Sequence, residues 1–198
     1  MKHTSTRAVF AYWDAVRGDR AAPARSDIDP AAIRHALGDT FLLTADFFDQ
    51  LRFRLAGTRV CALFAREVKS ESFTVLWSET SRKPISELLS IVTAETIGAV
   101  AGVRGHTAEA DAVELEMLLL PLSDPARMRV LGVLAALASP YWIGAKPVTR
   151  LELGTLRHLG PEVDGFPAPR FAAAPAGSHV RHGFVVYTGG RAPNEPAR

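Results

Sequence analysis

The sequence predicts an α+β fold that contains an antiparallel sheet and several helices. Residues 51–56 and 113–120 alternate apolar and polar side chains, which is the pattern of strands with one buried face. Residues 128–138 are apolar on both faces, as expected of a central strand that is covered on both sides. Residues 83–97 repeat apolar side chains at helical spacing. Short links between the strands favour antiparallel pairing.

The N-terminal region predicts two helices before the sheet. Residues 6–17 form an amphipathic helix whose apolar stripe consists of Val9, Phe10, Trp13 and Val16. Such a stripe needs a surface to cover, and two surfaces remain open: the sheet of its own chain or a second copy. A second helix is expected over residues 30–37, because Asp29 can cap it and Pro30 suits the first turn.

The predicted sheet contains five strands, which a group of helices interrupts. Leu51, Phe53 and Leu55 are expected to point inward from the second strand, and Gly57 ends that strand. Short helices then follow up to Trp77, before the long helix. The strands are predicted over residues 40–44, 51–56, 99–107, 113–120 and 128–138.

The stretch from Phe53 to Trp77 resembles the centre of a PAS domain. It reads FRLAGTRVCALFAREVKSESFTVLW, and it is similar to a subfamily of small stand-alone bacterial PAS proteins with the pattern FRLAGTxxCxLFxRE…F…LW. The matching residues are Phe53 through Thr58, Cys61, Leu63, Phe64, Arg66, Glu67, Phe73, Leu76 and Trp77. The resemblance implies the strand order of a PAS domain, with short helices on one face of the sheet, and a sensory or regulatory role. It implies no particular signal, so any cofactor stays unknown.

Three regions are predicted along the chain. Residues 1–38 are N-terminal flanking helices, residues 39–140 are the PAS domain, and residues 141–198 are an irregular C-terminal extension, rich in Gly and Pro and mildly basic. Residues 151–153 and 184–187 are candidate short strands within that extension. Its composition favours a loosely docked segment over an arm that binds a partner or lipid headgroups.

The composition excludes several classes of protein. Hydrophobic residues make up 47% and charged residues 22% of the 198 residues, as in ordinary globular proteins. A net charge of +2 is too small to indicate nucleic-acid binding. The single cysteine fits a reducing compartment. No signal peptide or transmembrane segment is apparent, so we expect a cytoplasmic protein.

The residue patterns give no catalytic motif and no metal site, which predicts a non-enzymatic protein. His179 and His182 have a metal-like spacing but lack further ligands nearby. Cys61 is interpreted as a small, buried hydrophobic residue. An alternative is a small α+β enzyme that uses Glu114 or Glu116 as a general base. A solvated sheet face explains the two glutamates better.

In PAS domains the helices and the sheet enclose the ligand pocket, and the resemblance implies candidates for its lining. Haem-binding PAS domains usually take their histidine from the long helix, which contains none here. The aromatic candidates could instead fill an ordinary core. The candidate pocket residues are Phe53, Arg54, Phe64, Phe73, Trp77, Arg104 and His106.

The predicted function is that of a PAS regulatory protein. It would bind a small ligand or a signalling protein and respond through dimerisation or partner binding. The apolar stripe of the first helix is the expected surface for a homodimer or a partner. The alternative is an interaction adaptor whose PAS core is filled.

Overall fold

The computed structural model describes residues 1–124 and 127–159 in full, and the backbone of residues 178–181 and 184–187. The chain divides into two compact units, Met1–Pro161 and Glu162–Arg198. In the second unit, strands β7 (Ser178–Arg181) and β8 (Phe184–Tyr187) pair in an antiparallel hairpin. The remainder of the predicted C-terminal extension after residue 159, including His182, lies outside the described residues, as does the side chain of His179.

The first unit contains an antiparallel sheet of six strands, which confirms the predicted α+β class. Every pair of neighbouring strands runs antiparallel, in the order β2-β1-β5-β4-β3-β6. The strands are β1 (Thr40–Ala45), β2 (Leu51–Ala56), β3 (Gly98–Thr107), β4 (Ala112–Leu122), β5 (Arg129–Ala136) and β6 (Val148–Leu159).

The helices differ from the predicted ones mainly at their ends. They are α1 (Thr4–Arg17), α2 (Thr58–Phe64) and α3 (Glu79–Ala94). Helix α3 begins earlier than predicted, since the amides of Ser81 and Arg82 already donate to the carbonyl of Ser78 at 2.9 and 3.0 Å. Asp29 caps the next N-terminal element as predicted, but that element is only a 3-10 turn over Pro30–Ile33.

The prediction of five strands was one strand short. Strand β6 lies in the region that was assigned to the extension, and it pairs with β3 from Gly98 opposite Leu159 to Thr107 opposite Val148. The sheet therefore continues well past residue 140. The sequence signal was weak because β6 is an edge strand with a largely exposed second half, so its apolar alternation covers only three residues.

The two faces of the sheet carry separate cores. Helices α2 and α3 cover the inner face, which contributes Phe41, Leu43, Leu115 and Met117 to the first core. Helix α1 and the turns after it cover the outer face, where Leu118, Leu131 and Val133 are buried. The sheet is thus covered by helices on one face, as predicted, and by the N-terminal region on the other.

Leu55 does not point inward as predicted, and 54% of it is exposed. The pairing between β1 and β2 shifts by one residue between Leu42 and Leu43. Because side chains alternate between faces, such a shift changes the face that the following residues occupy.

Candidate functional site

An aromatic cluster fills the space between the inner face of the sheet and the helices. Phe41, Phe53, Phe73 and Trp77 are each at most 2% exposed. Their ring centroids lie 5.5 Å apart for Phe41 and Phe53, 5.6 Å for Phe53 and Phe73, and 5.7 Å for Phe73 and Trp77. Rings at these distances make edge and tilted contacts that pack a core tightly.

Phe41 completes this cluster, although the sequence analysis did not single it out. Its ring lies over Gly132 of the neighbouring strand β5, where an added Cβ would come within 2.1 Å of the ring. A glycine inside an otherwise apolar strand often marks a close approach of this kind. Gly132 was therefore the sequence feature that could have indicated a large side chain packed against strand β5.

The indole nitrogen of Trp77 is buried in this core without a hydrogen-bond partner among the described residues. Buried donors are nearly always paired, so an unpaired one needs an explanation. The nitrogen could donate to an oxygen of a ligand or of a buried water.

The start of helix α1 is tied to Glu116 on the outer face. The two oxygens of this carboxylate accept hydrogen bonds from the amides of Lys2 at 2.6 Å and His3 at 2.9 Å. Burial by itself would raise the pKa of Glu116, but the two amide bonds outweigh that effect and hold the pKa below its usual value. Glu116 therefore anchors the N-terminus as a carboxylate.

A second buried carboxylate, Asp39, joins helices α1 and α2. Ser5 Oγ donates to Asp39 Oδ2 at 2.6 Å, and Arg59 donates to both oxygens of Asp39 at 2.6 and 2.8 Å. Burial would raise the pKa of Asp39, but the hydrogen bonds from Arg59 and Ser5 outweigh it and lower the pKa. These residues border a cleft of about 430 Å³ whose apolar wall includes Leu63 and Leu134.

The family of the chain follows from a comparison with family models. A model described as "PAS domain" matches residues 1–135. The chain belongs to the PAS domain family. The matched region includes helix α1 and every inner-face element of the fold up to strand β5. Members of this family are generally sensory or regulatory and non-enzymatic.

The chain is also similar to several solved structures, each at 14% sequence identity. A PAS domain from a two-component sensor histidine kinase aligns over 54% of this chain and 90% of its own, with a TM-score of 0.40. A PAS domain protein from Colwellia psychrerythraea aligns over 55% and 97%, with a TM-score of 0.39. An RNA-binding light-oxygen-voltage receptor aligns over 59% of this chain but only 34% of its own, with a TM-score of 0.42. Comparison with curated proteins gives no match.

The structure divides the candidate pocket residues between the two faces of this PAS sheet. Phe53, Phe64, Phe73 and Trp77 lie together in the inner core. Arg104 and His106 lie on the other side, since the residues of β3 alternate between faces. Arg54 is the extra residue at the register shift between β1 and β2, and it lines a groove with Thr44. Arg54 on β2 and Arg104 on β3 are four strands apart, which is about 19 Å at the usual strand spacing.

Two of the polar candidates already have partners on the outer side of the sheet. Arg104 Nε lies 3.4 Å from a carboxylate oxygen of Glu114 on the next strand. His106 Nε2 lies 3.0 Å from a carboxylate oxygen of Glu152 on β6. These contacts place neither residue beside the aromatic cluster, and the buried Nε2 of His106 lies close to Glu152 without a hydrogen bond to a described residue.

The two glutamates considered as general bases have different environments. Glu114 is exposed, as the sequence predicted, whereas Glu116 is only 6% exposed and the prediction of a solvated position for it was wrong. The N-terminal segment, which crosses the outer face at this point, covers Glu116. A carboxylate with a lowered pKa and both oxygens engaged is poorly suited to accept a proton.

Cys61 is half-buried rather than fully buried. Its Sγ donates to Glu67 Oε1 at 2.8 Å. Burial raises the pKa of the thiol, and the bond to Glu67 raises it further, so the unreactive thiol form is favoured.

The apolar stripe of helix α1 packs on the sheet of its own chain. Val9 is fully buried and Trp13 is 3% exposed, and the indole of Trp13 donates to the carbonyl of Pro121 at 2.9 Å. Phe10 and Val16 are only partly buried against the same core. Val9 and Trp13 are therefore unavailable to a partner while α1 is docked.

Among the residues that the structure describes, no group of three or more His, Cys, Asp or Glu side chains is arranged to hold a metal ion. No described helix has both the length and the apolar character that crossing a membrane requires.

Proposed function

We propose that this PAS domain is a non-enzymatic regulatory module that acts in the cytoplasm by exposing the outer face of its sheet to a protein partner. The observation that carries the proposal is the nature of the contact between helix α1 and that face. The helix covers an apolar surface, but polar contacts at a few positions tie it down. An element held in this way can be released without unfolding the sheet.

The surface beneath α1 suits a partner once it is uncovered. Leu118, Leu120 and Val133 are fully buried there, and Leu131 is 5% exposed. Apolar patches of this kind on a sheet bind the apolar face of a helix. A partner could therefore supply an amphipathic helix that takes the place of α1.

The polar ties of α1 lie mostly at its beginning. Glu116 binds the amides of Lys2 and His3, and Asp39 binds Ser5. Loss of these bonds would free the first turn of the helix while the strands keep their own hydrogen bonds. A signal would therefore release the helix by weakening the contacts that Glu116 and Asp39 make with it.

The partner can be a second copy of the chain. The homodimer that was expected from the sequence is therefore part of this proposal. Exchange of α1 between two copies would rebuild the same contacts across an interface, because each helix would cover the sheet of the other chain. Phe10 and Val16, which are only partly buried, would add apolar area to such an interface.

The test compares Glu116→Gln with Glu114→Gln in the full chain. The first change keeps the shape but removes the charge and one of the two acceptors, whereas the second makes the same chemical change on an exposed side chain. We expect amide hydrogen exchange of residues 4–17 to accelerate about tenfold or more in Glu116→Gln, with the sheet unchanged. Glu114→Gln should behave as the wild type. Equal acceleration in the helix and the sheet would contradict the proposal.

A second candidate function is the binding of a small ligand within the aromatic core. The unpaired indole nitrogen of Trp77 favours it, because a ligand oxygen would satisfy that donor. Native mass spectrometry of the purified protein would then detect a bound small molecule that Trp77→Phe loses. A mass equal to that of the chain alone would indicate a core filled by side chains, without a bound ligand.

A further inference from the structure

Four arginines converge at the corner of the sheet formed by β2, β1 and β5. They border a groove of about 380 Å³, which Thr44 also lines. Arg52 and Arg54 come from β2, Arg129 begins β5, and Arg127 precedes it. The strand register places Arg52 and Arg129 on either side of Thr44, in one row across three strands.

Two of these arginines are balanced by carboxylates. Arg52 Nε lies 2.6 Å from Asp46 Oδ2, and Arg129 Nε lies 2.6 Å from Asp124 Oδ2. The first pair includes a hydrogen bond that fixes the guanidinium of Arg52, and Asp124 provides a charge partner for Arg129. Each carboxylate also neutralises its arginine, so these two arginines add no net charge to the groove.

The other two arginines leave positive charge in the groove. Arg54 has no hydrogen bond or ion pair to any described residue and is exposed. The guanidinium of Arg127 lies 5.2 Å from the centre of the Phe47 ring and has no carboxylate partner among the described residues. The hydroxyl of Thr44 is buried, and no described residue bonds to it. The groove thus offers two uncompensated charges, and the unpaired hydroxyl of Thr44 is buried in its wall.

This set of donors fits a phosphoryl group. A phosphate monoester carries a charge of about −1.5 to −2 near neutral pH and has three terminal oxygens. Guanidinium groups bind phosphate oxygens in pairs, with short, charge-assisted hydrogen bonds. A carboxylate brings one charge and two oxygens, so it would leave one arginine uncompensated. The volume of the groove also leaves room for the group that is esterified to the phosphate.

We propose that the groove lined by Arg52, Arg54, Thr44, Arg127 and Arg129 binds the phosphoryl group of a phosphate monoester. Its central row, Arg52, Thr44 and Arg129, lies on the outer face of the sheet, whereas Phe53, which also lines the groove, belongs to the aromatic core. The proposal goes beyond the proposed function and does not depend on it, because no residue of the groove ties down helix α1. A ligand here would give the PAS domain an input outside its core.

Arg54→Ala in the full chain tests the site directly. Because Arg54 has no described partner, the variant should fold with an unchanged melting temperature. Phenyl phosphate is titrated by calorimetry at fixed ionic strength, and we expect saturable binding to the wild type that is about tenfold or more weaker in Arg54→Ala. Arg127→Ala should weaken binding in the same way and covers the case in which Arg54→Ala does not fold.

The matched control is Arg157→Ala. Arg157 is exposed on β6, has no described partner, and its loss changes the net charge by the same amount. Its binding of phenyl phosphate should equal that of the wild type. Equal weakening in Arg157→Ala and Arg54→Ala would show general electrostatic attraction and overturn the proposal.

A second probe separates two sources of the same phosphoryl chemistry. Phe47 and Phe48 stand 90% and 84% exposed at the turn beside the groove, where they could enter a lipid surface. Binding of phenyl phosphate alone, dependent on Arg54, indicates a soluble ligand. Binding of phosphatidylcholine vesicles that contain phosphatidylinositol 4-phosphate, lost in Arg54→Ala and in Phe47→Ser/Phe48→Ser, indicates a lipid headgroup. Binding of neither probe, or binding that survives Arg54→Ala, overturns the proposal.

Discussion

Asp39 and Arg59 form an ion pair whose two members lie in different environments. The side chain of Asp39 is 5% exposed and that of Arg59 is 57% exposed, with Nε and Oδ1 2.6 Å apart. Because Ser5 donates to the same carboxylate, the pair connects helix α1 to helix α2. Any change in the charge of Asp39 therefore reaches the contact between the N-terminal helix and the sheet.

Acidification should release helix α1 before the sheet unfolds. The pKa values of Asp39 and Glu116 are both lowered in the folded chain. A lowered folded pKa gives stability that is fully present above the unfolded pKa, near 4, and is lost as the pH falls through the folded pKa. Amide exchange of residues 4–17, corrected for the intrinsic rate, should therefore rise relative to the sheet below about pH 4.

The double variant Asp39→Asn/Glu116→Gln is the control for this pH dependence. It lacks both titrating groups, so its helix should exchange faster than that of the wild type at neutral pH and change little on acidification. An equally steep response in the variant would assign the effect to other groups.

Arg59→Ala should destabilise the chain more than loss of an arginine whose carboxylate partner is exposed. The change leaves the Asp39 carboxylate buried with only Ser5 as its side-chain partner, and we expect a loss of about 1–3 kcal/mol, reduced by the solvent that reaches Arg59. Arg104→Ala, which removes an exposed ion pair with Glu114, should cost less than about 1 kcal/mol. Urea unfolding at neutral pH measures both losses, and equal values would contradict the role of the buried carboxylate.

Gly57→Ala should destabilise the chain severely. A Cβ at this position would lie 2.0 Å from the carbonyl oxygen of Leu37 and 2.4 Å from that of Gly38. Both are backbone atoms, so the turn between β2 and α2 would have to move, at a cost of about 3 kcal/mol or more. Thermal unfolding measures the loss. A melting temperature within a degree or two of the wild type would show that the turn has room.

Trp13→Ala distinguishes the two surfaces that the apolar stripe could cover. Packing on its own sheet predicts a loss of about 3–5 kcal/mol in the unfolding free energy, independent of protein concentration. Packing on a second copy predicts instead a smaller mass in light scattering and a monomer of unchanged stability. The described contacts favour the first result.

Local patterns predicted the elements whose ends are set by neighbouring residues. The strand Leu51–Ala56 and the cap at Asp29 follow from alternation and from side-chain chemistry that acts within a few residues. Gly57 was expected only to end a strand. Its close approach to Leu37 depends on a turn 20 positions earlier, which no local pattern contains.

The sequence could not place residues whose environment is set by distant segments. Glu116 has the alternation of a solvated strand residue, and its burial depends on Lys2 and His3, more than 110 positions away. The arginine groove has the same origin, since Arg54 and Arg127 meet only through the order of the strands. Contacts between distant segments thus determine both sites, through the N-terminal segment at Glu116 and through the strand order at the arginine groove.

Native-state hydrogen exchange of the wild-type chain tests the release of helix α1 most directly. If α1 is a releasable cover on the PAS sheet, residues 4–17 will open with a free energy about 2 kcal/mol or more below that of strands β4 and β5. If the helix and these strands open with one common free energy, α1 is a fixed part of the core and the proposed signalling route is wrong.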